Sequence, residues 1–428
     1  MAVFRRWTTV AFCLVIIGFL AIVGFAGMAE AAKVQVTYWT PGTGNQTYRT
    51  AQEGLEALFE KRYPDIDVKI EYVPSDIDQK LTIALASGTE PDLVTLPTRS
   101  APKYIAQGLL APIDFSAIGV KNEDGFLKLF IPGMRGILRS MGDYYFFPTE
   151  VSVFGLWYNE DMLTKAGLER PGATWQQLAQ QSLKFIQRDP SGKWTQWGLM
   201  VMRGWIWPYF TWLTFARQAG GDWITPDGQP GFLDPRVVEA IQYYQDLYLR
   251  YRVLDPSPSL DVEGTIFPSG KAAFVVGVSY QLQNWKQAKV PFEVKSAPHP
   301  YLEGGRRSTV AYGYGNFVVA TSKHKKEAWQ VAKFFTVDNA ENWFTKAGLF
   351  LPGAGDWIDE LVKREPNIIP FLQELPYAQL EIVHPMYSDI RSAIAAADRD
   401  LIAGKSTREV LSTLNDKLKN ILAQSAKK

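Results

Sequence analysis

The chain has 428 residues, of which 46% are hydrophobic and 21% charged, with a formal net charge of +1. That length and balance suit a globular protein of two domains with sizeable cores, and they argue against a disordered chain or a polyanion-binding one. One cysteine, Cys13, and three histidines leave little material for disulfides, cysteine zinc sites or thiol nucleophiles.

The first 31 residues read as a secretory signal: Arg5 and Arg6, an apolar run from Thr8 to about Met28, then Ala29-Glu30-Ala31. Cleavage is expected after Ala31, with an uncleaved membrane anchor as the alternative because the run approaches the ~20 residues that span a bilayer. Cys13 lies inside the apolar run rather than at its end, which argues against a lipoprotein signal. Removing this segment takes away Arg5, Arg6 and Glu30 and leaves 43 basic and 43 acidic residues and no cysteine. Nothing in that balance calls for a nucleic-acid partner.

Beyond the signal, strand-like and helix-like patterns alternate. Val34 to Trp39 reads as a strand, followed by a Gly-rich turn. Tyr48 to Tyr63 reads as a helix with Leu55, Leu58 and Phe59 on one face. Val68 to Val73 is a second strand. A helix from Ile77 to Ala86 ends at Ser87-Gly88, and PDLVTL is a third, buried strand. The β-α-β-α-β order predicts a doubly wound sheet, in which ligands sit beyond the carboxyl ends of the strands. That places candidate contacts at Thr40 to Asn45, Ser75 to Asp78 and Pro97 to Arg99.

A second α/β region opens near residue 150. VSVFGLWYN is a strand leading into a helix over 160–166 closed by Gly167, and Thr174 is a candidate N-cap. The stretch DPRVVEAIQYYQDLYLRY repeats apolar residues at helical spacing. KAAFVVGV and NFVVAT read as buried strands, and residues 387–424 as mostly amphipathic helix.

Between these elements lies WGLMVMRGWIWPYFTWLTFA, with seven aromatic residues in twenty. Pro208 suits the first turn of a helix, on which Trp212 and Phe215 are expected to be core. Arg203 and Pro208 argue against a membrane span. Trp205 and Trp207 precede the helix, where packing alone gives less reason for indoles. Exposed aromatic faces suit the C–H patches of pyranose rings, while sugar hydroxyls are held by Asp, Glu, Arg, Asn and backbone. The sequence has no G-x-S-x-G, phosphate-binding loop or dinucleotide fingerprint. His299, His324 and His384 show no metal spacing. A distant carboxylate pair, as in a glycoside-cleaving enzyme, stays open as an alternative of a different class.

Several ordered pieces resemble the extracellular solute-binding proteins of ABC transporters, in their carbohydrate-binding, maltose-binding branch: PDLVTLPTRSAPKYIAQGLLAPID, FPTEVSVFGLWYNEDMLTKAGL with TWQQL, WPYFTW, and FPSGKAAFVVG. The resemblance spans nearly the whole chain after the signal. It implies an α/β periplasmic-binding-protein fold: two doubly wound lobes joined by hinge strands, with the ligand cleft between them. One lobe would take residues 32–150 and 312–350, the other 151–311 and 351–428, with crossings near Glu150 to Val153, Ser308 to Tyr312 and Phe350 to Gly353. The implied role is carbohydrate capture for membrane permease subunits, by a monomer without cofactor, metal or catalysis.

The resemblance also suggests site residues. Trp207 and Tyr209 fall on the binding segment, Trp207 standing where a carboxylate is expected. Tyr280 and Tyr387 fall where the maltose-binding branch places stacking tryptophans, and Leu96 falls on another tryptophan. Arg99 stands for an acidic residue and Ser152 for a glutamate, with Glu150 two residues away. The expected stacking set is Trp205 or Trp207, Tyr209, Tyr280 and Tyr387, with Trp39 and Tyr314. The expected hydrogen-bonding set is Asn45, Asp76 or Asp78, Arg99, Glu150 and Ser152. Arg99 also leaves open a glycerol-phosphate or other small anionic solute.

Overall fold

The computed structural model describes residues 33–41, 46–74, 76–202, 207–257, 262–347 and 353–425. The signal segment, Asn45, Trp205 and most of the 350–353 crossing lie outside the described residues. Among the described residues, ten strands form one hydrogen-bonded sheet: β1 (Val34–Pro41), β2 (Ile66–Val73), β3 (Leu93–Pro97), β4 (Phe147–Asn159), β5 (Gln187–Arg188), β6 (Trp194–Val201), β7 (Ala272–Val278), β8 (Val294–Ala297), β9 (Thr309–Val318) and β10 (Ala378–Leu380). The order is β2-β1-β3-β9-β4-β7-β6-β5, with β10 beside β9 and β8 beside β4.

The first half follows the expected pattern. β1 pairs in parallel with β2 and β3, as strands linked by crossover helices must. The helix Gln46–Arg62 buries Leu55 and Phe59, but Leu58 is 44% exposed: it sits one residue from Phe59, a step of ~100° around the helix, and so turns away from the sheet. The helix Ile77–Ser87 starts on an Asp76 N-cap and stops at Gly88, whose φ of 70° is the left-handed conformation that glycine adopts without a Cβ penalty.

Two long strands link the halves. The amino-terminal part of β4 pairs with β9, and its carboxyl-terminal part pairs with β7 and β8. β9 pairs with β10 at its start and with β3 at its end. Side chains on β4 alternate between two cores: Val151, Val153 and Trp157 join one, Phe154, Leu156 and Tyr158 the other. The second core also takes the helices Pro208–Gln218, Pro235–Leu249, Tyr387–Ile402 and Thr407–Ser425.

That second core explains most of the aromatic stretch. Trp212 and Phe215 are fully buried, as their spacing predicts. The Trp212 indole donates to Asp398 at 2.9 Å, and Tyr244 donates to the same carboxylate oxygen at 3.0 Å, so one buried acid joins three helices. Thr174 caps the helix Trp175–Ser182 in a reciprocal capping box with Gln177. Among the described residues, no helix is long and apolar enough to cross a membrane.

Candidate functional site

The site is built where β4 and β9 lie side by side. Their register sets Glu150 opposite Tyr314 and Ser152 opposite Tyr312. Opposed residues of an antiparallel pair share one face of the sheet, so two polar side chains and two phenols stand together. Gly313 between the phenols permits this approach: a Cβ there would collide with the Glu150 carbonyl oxygen. Ser152 donates to Glu150 Oε1 at 3.0 Å. Burial pushes the Glu150 carboxyl above the usual carboxylate range, and the serine contact offsets part of that rise.

Two strand ends converge on the same stretch of β9. β3 runs antiparallel to β9 and ends with Pro97 opposite Tyr314, after which the Thr98 N–H donates to the Gly313 carbonyl. β10 runs parallel to β9 and ends with Leu380 opposite Ala311, after which the Glu381 N–H donates to the Ala311 carbonyl. The residues that follow, Arg99 and Glu381, lie near enough for each charge to act on the other. Glu381 is 1% exposed, and its Oε2 accepts the Tyr209 hydroxyl in a short contact. Burial raises the Glu381 carboxyl, while Arg99, the Tyr209 hydroxyl and Arg391 pull it back. For Arg99, burial acts to lower the guanidinium value. Glu381, followed by Tyr387, Tyr314 and Tyr209, more than compensates and holds it above the ordinary arginine range.

An aromatic wall closes one side. Trp207 is half-buried at the start of the helix Pro208–Gln218, with ring centroids 5.5 Å from Phe210 and 6.1 Å from Tyr312. Phe154 and Phe210 pack behind them at 5.1 Å. Tyr387 opens the helix Tyr387–Ile402 and lies half-buried beneath the Arg391 guanidinium at 5.4 Å. Tyr280 is half-buried two residues past the end of β7, where Val278 pairs with Phe154 of β4.

The structure thus gathers Arg99, Glu150, Ser152, Trp207, Tyr209, Tyr314 and Tyr387, with Tyr280 at the edge. Tyr209 differs from its expected stacking role. It is 1% exposed, with its ring 4.1 Å from that of Phe210 and its hydroxyl turned to Glu381, so no ring face is open. Trp39 is likewise buried in the first core beneath the Lys80 ammonium, 3.9 Å from its ring centroid, and offers no free face. Asp76 serves as a helix cap, its Oδ1 accepting the N–H groups of Asp78 and Gln79. Asp78 accepts from Lys103 at 2.8 Å and Tyr104 at 2.7 Å, so both its oxygens are engaged within the lobe. Leu96 is core. Sequence reading missed Glu381 and Tyr312. Tyr312 alternates with Tyr314 in the strand AYGYGNFV, a pattern that marks both as sharing a face; Glu381 in AQLEIV carries no comparable signal.

Two α/β halves bridged by long shared strands, with a polar and aromatic face at the bridge, define a two-lobe periplasmic-binding-protein fold. The chain belongs to the bacterial extracellular solute-binding protein family, which it matches over residues 42–341. It is 26% identical to a binding protein of Brucella abortus over 90% of this chain and 92% of that one. It is 24% identical to the maltotriose-binding protein of Pyrococcus abyssi over 92% of this chain and 83% of that one. The crystal structure of the cyclic α-maltosyl-1,6-maltose binding protein from Arthrobacter globiformis superimposes with a TM-score of 0.77 at 23% identity, covering 91% of this chain and 99% of the other.

Proposed function

We propose that the protein captures a carbohydrate, an oligosaccharide or glycoside, outside the cytoplasm and presents it to the permease subunits of an ABC importer. The observation that carries this reading is the β4–β9 face, where Glu150, Ser152, Tyr312 and Tyr314 stand beside the half-buried Trp207. Aromatic faces next to hydrogen-bonding groups are what a pyranose requires. The sugars named for the relatives support the same class of ligand. Trp207 supplies the stacking face, with Tyr280, Tyr387 and Tyr314 around it; Arg99, Glu150 and Ser152 hold hydroxyls. The lobes divide where β4 and β9 cross, and closure is a hinge motion about those strands, driven by ligand contacts to both sides.

In this reading the protein is a monomer, works in the periplasm after loss of residues 1–31, and makes or breaks no covalent bond. The test is calorimetric titration of the mature protein with neutral mono-, di- and trisaccharides. Saturable binding of one sugar class supports the assignment, and turnover of a glycan over hours would replace it with a carbohydrate-active enzyme.

A further inference from the structure

Glu381 and Arg99 each keep one buried polar atom, Glu381 Oε1 and Arg99 Nε, without a hydrogen-bond partner. An unpartnered buried carboxylate oxygen or guanidinium N–H is costly, so a native fold retains such atoms where something else meets them. Both lie just past strand ends that bond to the same stretch of β9, the Thr98 N–H to Gly313 and the Glu381 N–H to Ala311, and their charges act on each other. A second guanidinium, Arg391, also acts electrostatically on Glu381.

We propose that Arg99 and Glu381 form a matched donor–acceptor pair that selects an uncharged, hydroxyl-bearing ligand and rejects anionic ones, which makes Glu381 a specificity-determining residue. The proposal rests on the carbohydrate reading above and narrows it to neutral sugars. A hydroxyl group both accepts and donates, so one hydroxyl or a neighbouring pair can take the Arg99 Nε hydrogen and give a hydrogen to Glu381 Oε1. A phosphate or carboxylate can also accept from Arg99, and a P–OH or alcohol hydroxyl on it can donate to Glu381, but its negative charge then lies close to the Glu381 carboxylate in a water-poor site, where their repulsion is weakly screened. Arg99, with Arg391 near Glu381, would favour an anion; the Glu381 carboxylate opposes that preference. Tyr209 positions Glu381 by donating to its other oxygen.

The test compares the wild type with Glu381→Gln, which keeps the shape, turns one acceptor oxygen into an N–H donor and removes the charge. Thermal shift is read with millimolar inorganic phosphate, with glycerol 3-phosphate, and with a neutral saccharide panel containing maltotriose. The wild type is expected to give no shift with either phosphate, and Glu381→Gln to bind both at least about tenfold more tightly, as expected when a charged partner is removed. Arg99→Gln in the Glu381→Gln background should abolish that gain. Phosphate binding by the wild type overturns the proposal whether or not the variant folds, and so does an unchanged phosphate response in a folded Glu381→Gln. Failure of the carbohydrate reading itself is separate: it appears as a wild type that no neutral saccharide stabilises, whatever the phosphates do.

Discussion

Tyr209 donates its hydroxyl to Glu381, 172 residues further along the chain, and so ties the first turn of the aromatic helix to the segment that leaves β10. The contact is buried, and burial and the neighbouring carboxylate together push the phenol well above its ordinary value, so it remains a donor across the accessible pH range. A tyrosine that the resemblance marked for ligand stacking is thereby turned to holding an acid in place.

Tyr209→Phe should keep the ring packing and remove one donor to a buried carboxylate. We expect a loss of about 1–3 kcal/mol in urea unfolding, with weaker saccharide binding because Glu381 is no longer fixed. Unfolding and binding identical to wild type would show that Glu381 is held by other contacts.

Trp207 and Trp212 lie five residues apart and should respond in opposite ways. Trp207→Ala is expected to weaken ligand binding by about 1–3 kcal/mol with little change in melting temperature. Trp212→Ala is expected to destabilise the fold by about 3–5 kcal/mol, since it opens a cavity and takes a donor from the buried Asp398. Calorimetric titration and urea denaturation on both variants separate the two roles; a Trp207→Ala protein that unfolds would make that residue core.

His299 predicts a pH dependence of stability. Its ring is buried, donates from Nδ1 to the Pro300 carbonyl at 2.7 Å and lies 3.4 Å from Gln218 Nε2, while Trp175 packs edge-on against it. Burial lowers its value from 6.5 to about 4. A base that is harder to protonate in the folded state contributes stability that is intact above the unfolded value and is lost as pH falls towards the folded one. The window is therefore pH 6.5 down to about 4, and the loss is on the order of 3 kcal/mol. His299→Gln should flatten the stability profile across that window, as measured by unfolding at stepped pH; an unchanged slope would place the acid sensitivity elsewhere.

Much of the fold was legible because local signals and burial agree. The Thr174 cap, the Gly88 stop, and the buried Trp212 and Phe215 all follow from spacing and residue type. The bridging face was partly legible: Glu150 and Ser152 alternate on one strand, and the resemblance marked Arg99, Trp207 and Tyr387. Asp76 and Asp78 misled for a local reason. A carboxylate at a helix start beyond a strand suits a ligand equally well, yet here backbone N–H groups use one Asp76 oxygen as a helix cap, and Lys103 and Tyr104 use both oxygens of Asp78. Trp39 misled because a strand-end indole can face out or in, and Lys80 covers it. Glu381 was invisible because its meaning comes from strand ends that the chain brings together from residues 97 and 380.

The most direct test of the account is a thermal-shift measurement on the mature protein with neutral saccharides, from monosaccharides to trisaccharides. A ligand at about 100 times its dissociation constant stabilises by about 2.7 kcal/mol, and the account predicts a rise in melting temperature with one sugar class that Trp207→Ala abolishes. A protein stabilised by no neutral saccharide, or one whose response survives loss of Trp207, would contradict it.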